Sequence, residues 1–240
     1  MSETLGALPK RQSSKDDYEK TRALKVRSLK GKRRIEYENG KGDNAAAVVV
    51  WTIQDEISFR ESAALYVLSE VLEDRIREHV RQEMGATYAP SVSYVTFPAY
   101  DTLRHIRADV DCLKQDADAL LDVVLDIASE LSRSEIDNTE LKAAVAPMEE
   151  GIHQAWRDNG YLLENVLYGA QEYPGIVANA LRYKDGILST ITPKEIHDVA
   201  KRYLVSDDAL AVSIVPAIQS QLAETPDAGA EPLKAGATSR

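Results

Sequence analysis

Apolar residues recur along this chain with two different periods, and the switches between them mark out its elements. AAAVVVWTI (Ala45 to Ile53) is a near-continuous apolar run preceded by the turn-like ENGKGDN (Glu38 to Asn44), and it reads as a buried strand. Phe59, Ala63, Val67, Leu72, Ile76 and Val80 then follow at near-helical spacing. Ser58 with Glu61 supplies a capping-box signature before them, and Gly85 supplies a stop after them. A helix from Phe59 to Met84 would be roughly 39 Å long, enough to lie across a whole sheet.

Two strands are expected next. Ser91 to Pro98 is rich in β-branched and aromatic residues, and Ile106, Ala108, Val110 and Cys112 alternate with Arg107, Asp109 and Asp111. The short link Ala99-Tyr100-Asp101 suits a hairpin. A second amphipathic helix is marked by Ala117, Leu120, Leu121, Val124, Ile127, Ala128 and Leu131. From Glu135 to about Leu188 the pattern is helical but interrupted at Pro147, Gly160 and Pro174-Gly175. Thr192-Pro193-Lys194-Glu195 combines an N-cap, a first-turn proline and a capping-box glutamate, opening a helix to about Leu204. Ala209 to Pro216 is the last strand.

This order predicts an α+β fold, a two-layer sandwich in which helices pack on one face of a mostly antiparallel sheet. No internal repeat stands out. Residues 1–34 read as a basic leader, 35–217 as one α+β domain, and the Ala/Gly/Pro-rich 218–240 as a disordered tail.

Charge refines this picture. The chain carries a formal net charge of −10, yet its first 34 residues hold eleven Lys/Arg against four Asp/Glu. Such an arm suits nucleic acid, an acidic membrane surface, or an acidic neighbour on which a solvated linker docks. No aromatic interleaving or known module accompanies it, so no nucleic-acid partner is expected. The longest apolar run, Ala45 to Trp51, falls far short of the ~20 residues of a membrane span. The opening MSETLGALPKRQ lacks the apolar stretch of an export signal. Cys112, the single cysteine, excludes an internal disulfide and any multi-cysteine metal site.

Candidate chemistry is sparse. His79, His105, His153 and His197 are too far apart for HExxH or HxxEH, in which helical spacing turns both imidazoles toward one metal. A zinc site assembled from scattered histidines and carboxylates stays conceivable. The bland reading places His79 and His197 on solvated helix positions and His105 on a strand face. There is no GxSxG elbow and no GxGxxG, and Cys112 in a strand makes a poor nucleophile. Glu73-Asp74 and Glu149-Glu150 read as exposed helix faces. No catalytic residue and no metal ligand is assigned.

One segment does stand out. IREHVRQEMGATYAPSVSY, Ile76 to Tyr94, ends a long helix at a glycine and brings a tyrosine before the next strand. It resembles the non-catalytic C-terminal-type domain of the pitrilysin/insulinase (inverzincin) zinc metallopeptidases. In that family an arginine near the helix end precedes a tyrosine by seven positions, a spacing matched by Arg81 and Tyr88. Arg157 to Leu162 is similar to the family's Asn-x-x-Leu helix entry, and Ile191 to Leu204 looks like its closing helix. Thr4 to Pro9 resembles the end of a preceding domain of the same kind.

The resemblance implies a division of labour. One domain of the pair bears HxxEH and the zinc, and its homologue supplies the arginine and tyrosine that face the peptide. Arg81 and Tyr88 would then be substrate-binding, with no cofactor in this chain and zinc in the homologous zinc-bearing partner domain. The expected partners are a peptide or protein substrate and that domain, and the expected compartment is the bacterial periplasm, with the cytoplasm as alternative. Two rival readings stand beside this one. Arg81 pairs with a helix carboxylate while Tyr88 packs in the core, or the domain is a non-enzymatic scaffold of the same fold.

Overall fold

The computed structural model describes residues 28–37, 42–83, 88–97, 100, 103–170, 173 and 175–217. Most of the expected leader, the Gly85 stop, Ala99 and Asp101 of the hairpin link, Pro174 and the expected tail lie outside these residues.

Five strands form one sheet: β1 (Gly31–Tyr37), β2 (Asn44–Ile53), β3 (Pro90–Thr96), β4 (Arg104–Leu113) and β5 (Leu210–Pro216). Their order is β1-β5-β2-β4-β3. β2 is antiparallel to both β4 and β5, β3 is antiparallel to β4, and only the edge pair β1–β5 is parallel. The helices are α1 (Phe59–Glu83), α2 (Ala117–Arg133), α3 (Asn138–Ala155), α4 (Asn159–Tyr161 continued by a π-helical Leu162–Leu167 and by Tyr168–Ala170), α5 (Gly175–Lys184) and α6 (Pro193–Tyr203). The sandwich of helices on a mostly antiparallel sheet is the fold class the sequence predicts.

The core lies between the sheet and α1, α2 and α6. Val49, Trp51 and Ile53 of β2 and Ile106, Ala108 and Val110 of β4 meet Leu65, Leu68, Leu72 and Ile76 of α1 and Leu120, Val124 and Leu131 of α2, all of them buried. Cys112 is buried in the same cluster, as expected of a small core residue.

Two expectations need correction. Strand structure begins at Gly31 rather than near Ile35, because Gly31 to Tyr37 pairs in register with Leu210 to Pro216. Its side chains are nearly all exposed, so hydrophobic patterning could not reveal it. The backbone ladder holds it, together with ion pairs from Lys30 to Asp208, Lys32 to Asp122 and Arg34 to Asp118. This part of the basic arm therefore docks on acidic groups of its own domain. The second correction is Pro147, which lies inside α3 without ending it. Pro147 and Ala143, whose carbonyl loses its helical donor, are both exposed, while Leu141, Ala144, Val145 and Met148 continue the buried stripe. The break comes later, at Trp156–Asp158, where the Asp158 carboxylate accepts from the Gly160 N–H at 2.7 Å.

Candidate functional site

Arg81 stands in the last turn of α1 and Tyr88 just ahead of β3. The Arg81 side chain is 63% exposed, and the Glu78 carboxylate lies 4.0 Å from it. At that distance and exposure the pair holds the guanidinium only loosely. Tyr88 is half-buried against the core edge. Its hydroxyl donates to the Asp116 carboxylate at 2.6 Å, and this bond is the main reason its pKa is raised. Asp116 is the N-cap residue of α2, yet its side chain makes no capping bond. The carboxylate is turned to Tyr88 instead, so the two candidates differ: Arg81 is exposed and loosely paired, and Tyr88 is held in place.

The face of α1 leading to Arg81 is structured by carboxylates. Glu73 accepts from Arg77 and also from the backbone N–H of Val92 at 2.8 Å, which ties α1 to the edge strand β3. Arg77 pairs with Asp74 as well. Arg75, on another side, makes a two-pronged bond to Glu140 at 2.6 and 3.0 Å and anchors α3. Toward its start, Ser62 Oγ lies 3.1 Å from the Tyr94 hydroxyl.

There α1, β3, α3, α4 and α5 line a cleft of about 660 Å3 whose lining includes Phe59, Tyr66, Tyr94, Tyr161, Tyr183 and Glu70. Tyr183 meets Phe59 and Tyr66 edge-on, with ring centroids 5.1 and 6.1 Å apart. Burial pushes the pKa of Tyr66, Tyr94 and Tyr183 up. It raises that of Glu70 too, helped by the neighbouring charges of Glu73 and Asp74 and opposed by Arg77. Sequence reasoning missed this cleft. The only signal available was the four-residue spacing of Tyr66 and Glu70, while Tyr161 and Tyr183 come from the stretch read merely as broken helix.

The start of α1 is also locked to α6. The Ser58 hydroxyl accepts from the Glu61 N–H at 3.1 Å, but the Glu61 carboxylate accepts from Arg202 at 2.9 Å and from Tyr203 at 3.1 Å. The Thr192–Glu195 capping box is complete, and Arg60 adds a fork onto Glu195. Chiefly through the Arg60 bond, the Glu195 carboxyl is held down at about 2.

The histidines remain dispersed. His105 packs on Phe97 with ring centroids 5.5 Å apart, and burial lowers its pKa. His153 Nε2 lies 3.3 Å from the Lys184 carbonyl, while His79 and His197 are half-buried helix residues rather than fully solvated ones. Among the described residues, no group of three or more His, Cys, Asp or Glu is placed to hold a metal ion. These residues do not fit a zinc centre. Among the described residues no helix is long and apolar enough to cross a membrane.

Comparison with known proteins gives a concordant set of matches. The family model described as "Peptidase M16 inactive domain" matches residues 1–148, a span that holds Arg81, Tyr88 and Asp116. No curated protein matches the chain by sequence. Among solved structures, the periplasmic protease PqqL from Escherichia coli superposes with a TM-score of 0.63 at 14% identity, over 81% of this chain and 21% of that one. The peptidase M16 inactive domain from Pseudomonas fluorescens gives 0.57 at 15% identity, over 78% of this chain and 44% of that one. The inactive peptidase domain of a candidate zinc protease from Bordetella parapertussis gives 0.61 at 15% identity, over 74% of this chain and 96% of that one. At these identities the likeness shows the fold. The chain spans about a fifth of the Escherichia coli protease and almost the whole of the Bordetella domain.

Proposed function

We propose, from the premise that this chain belongs to the peptidase M16 inactive-domain family, that it is a non-catalytic domain which binds the peptide for a zinc-bearing partner. The observation that carries this reading is Arg81, an exposed guanidinium at the end of α1 whose one ion pair among the described residues is a 4.0 Å contact to Glu78. Its planar fork is suited to a peptide carbonyl or a chain-terminal carboxylate. Tyr88 stands seven residues on, with its hydroxyl committed to Asp116. A phenol donating to a carboxylate keeps an oxygen lone pair, so Tyr88 can accept from a peptide N–H without breaking that bond.

On this reading the zinc-bearing homologous domain performs the chemistry, in the same protein or in a partner chain, and this domain closes the chamber from the other side. Arg81 then polarises or orients a carbonyl on which negative charge develops. The periplasm is the compartment proposed, by analogy with the periplasmic protease of the same fold.

The Tyr88–Asp116 bond also favours a second reading, in which this corner is purely structural and the domain acts as a scaffold. Titration of an unstructured peptide into the isotopically labelled chain separates the two. Peptide binding predicts saturable shifts centred on Arg81 and Tyr88, with no cleavage and no stoichiometric zinc. A scaffold predicts no shifts at either residue.

A further inference from the structure

The cleft at the start of α1 combines two features seldom found together on an inert surface. Five aromatic rings from three helices and one strand converge on it, from Phe59, Tyr66, Tyr94, Tyr161 and Tyr183. Among them sits the half-buried carboxylate of Glu70, which makes no hydrogen bond or ion pair with any described residue. Its neighbours Glu73 and Asp74 are both engaged by Arg77. Burial raises the Glu70 pKa, the charges of Glu73 and Asp74 add to that rise, and Arg77 opposes it. An aromatic-walled pocket with a carboxylate that has no direct hydrogen-bond or ion-pair partner among the described residues favours a cation that is also partly apolar. The tyrosine faces attract positive charge, the carboxylate neutralises it, and the hydrocarbon stem covers the rings.

We propose that this cleft binds a lysine or arginine side chain of an extended polypeptide. The long stem and terminal charge of either residue match the cleft's apolar walls and its one acidic group. The placement along α1 argues for a polypeptide rather than a free amine. Glu70 and Arg81 are eleven residues apart, close to three full turns, so they share one helix face about 16 Å apart. An extended chain covers that distance in about five residues. A peptide held by Arg81 would therefore present a residue about five positions away to the cleft. This spacing rests on the peptide-binding reading of Arg81, whereas the cleft's own preference does not.

The test uses the chain as it stands and three probes: the pentapeptide Ac-Ala-Ala-Lys-Ala-Ala-amide, its norleucine analogue, and spermidine. Amide shifts of Gly151, Ile152 and Tyr183 report occupation of the cleft. The lysine peptide should bind there saturably and at least about fivefold more tightly than the norleucine peptide. Glu70→Gln should shrink that preference to within about twofold, with circular dichroism confirming the fold, and Tyr161→Ala should weaken binding independently at the other wall. With its lysine in the cleft the pentapeptide extends only two residues either way, too short to reach Arg81, so failure of the Arg81 reading and failure of this one are distinguishable. Equal affinity for norleucine and lysine would overturn the proposal. So would spermidine shifting the cleft resonances when the lysine peptide does not, or no saturable shift at millimolar peptide.

Discussion

The Tyr88 hydroxyl donates to the Asp116 carboxylate at 2.6 Å, joining the residue that leads into β3 to the first turn of α2 across 28 positions of sequence. An aspartate at a helix N-cap ordinarily satisfies the helix's own N–H groups, and here it does not. The geometry of Tyr88 is thus set by a residue that looks, in sequence, like a helix signal.

Because the pair is partly exposed, Tyr88→Phe should cost about 1 kcal/mol of unfolding free energy, less than a buried bond to a charged acceptor. Asp116→Asn should cost less, since the amide oxygen can still accept. A double-mutant cycle that pairs Tyr88→Phe with Asp116→Ala, which removes the acceptor, should return a coupling near the Tyr88→Phe value by urea denaturation. Strictly additive losses would mean that the bond is not populated in solution.

Glu195 supplies a pH signature. Its folded-state pKa lies at about 2, against roughly 4.3 in an unfolded chain. Its contribution is therefore fully present above the unfolded value and is lost as pH falls toward the folded one. Glu195→Gln should destabilise by about 1 kcal/mol at pH 6, the usual worth of a cap, and the gap to wild type should narrow steadily as pH falls below about 4. A gap that stayed constant from pH 6 to 2.5 would contradict the Arg60–Glu195 pairing.

Cys112 should be silent toward thiol reagents. Burial pushes its pKa up to about 11, and the side chain is packed in the core. Ellman's reagent at pH 8 should leave it unmodified until guanidinium unfolds the chain. Rapid labelling under native conditions would place β4 in a different register.

The first strand invites a charge test. Lys32 and Arg34 pair with Asp122 and Asp118 across an exposed surface. Reversing both to glutamate should cost on the order of 1 kcal/mol at low ionic strength and visibly less in 1 M salt. An equal loss at both salt concentrations would show that the backbone ladder alone holds β1.

Much of the fold was legible because burial writes itself into sequence periodicity. Val49, Trp51 and Ile53 alternate inward, α1 repeats its apolar positions, and Thr192 with Glu195 announces α6. What escaped notice has little burial to record. β1 exposes nearly all its side chains, so only partner strand β5 defines it. Pro147 carried its usual meaning as a breaker, but it sits where the lost donor faces the exposed side of α3. The Arg81–Tyr88 spacing was visible at once, whereas Asp116 and the aromatic cleft depend on contacts between distant segments. No local pattern encodes those.

The most direct test of the account measures kcat/KM of the proposed zinc-bearing assembly of this domain with its homologous partner, with Arg81→Lys and Tyr88→Phe compared against wild type. Lysine keeps the charge but lacks the planar fork, so Arg81→Lys should lower kcat/KM by about 10- to 100-fold, with zinc content and folding unchanged. Tyr88→Phe should lower it too, by more than its stability cost explains. Unaltered kcat/KM in both folded, zinc-replete variants would remove this corner from the peptide's path and leave the domain a scaffold.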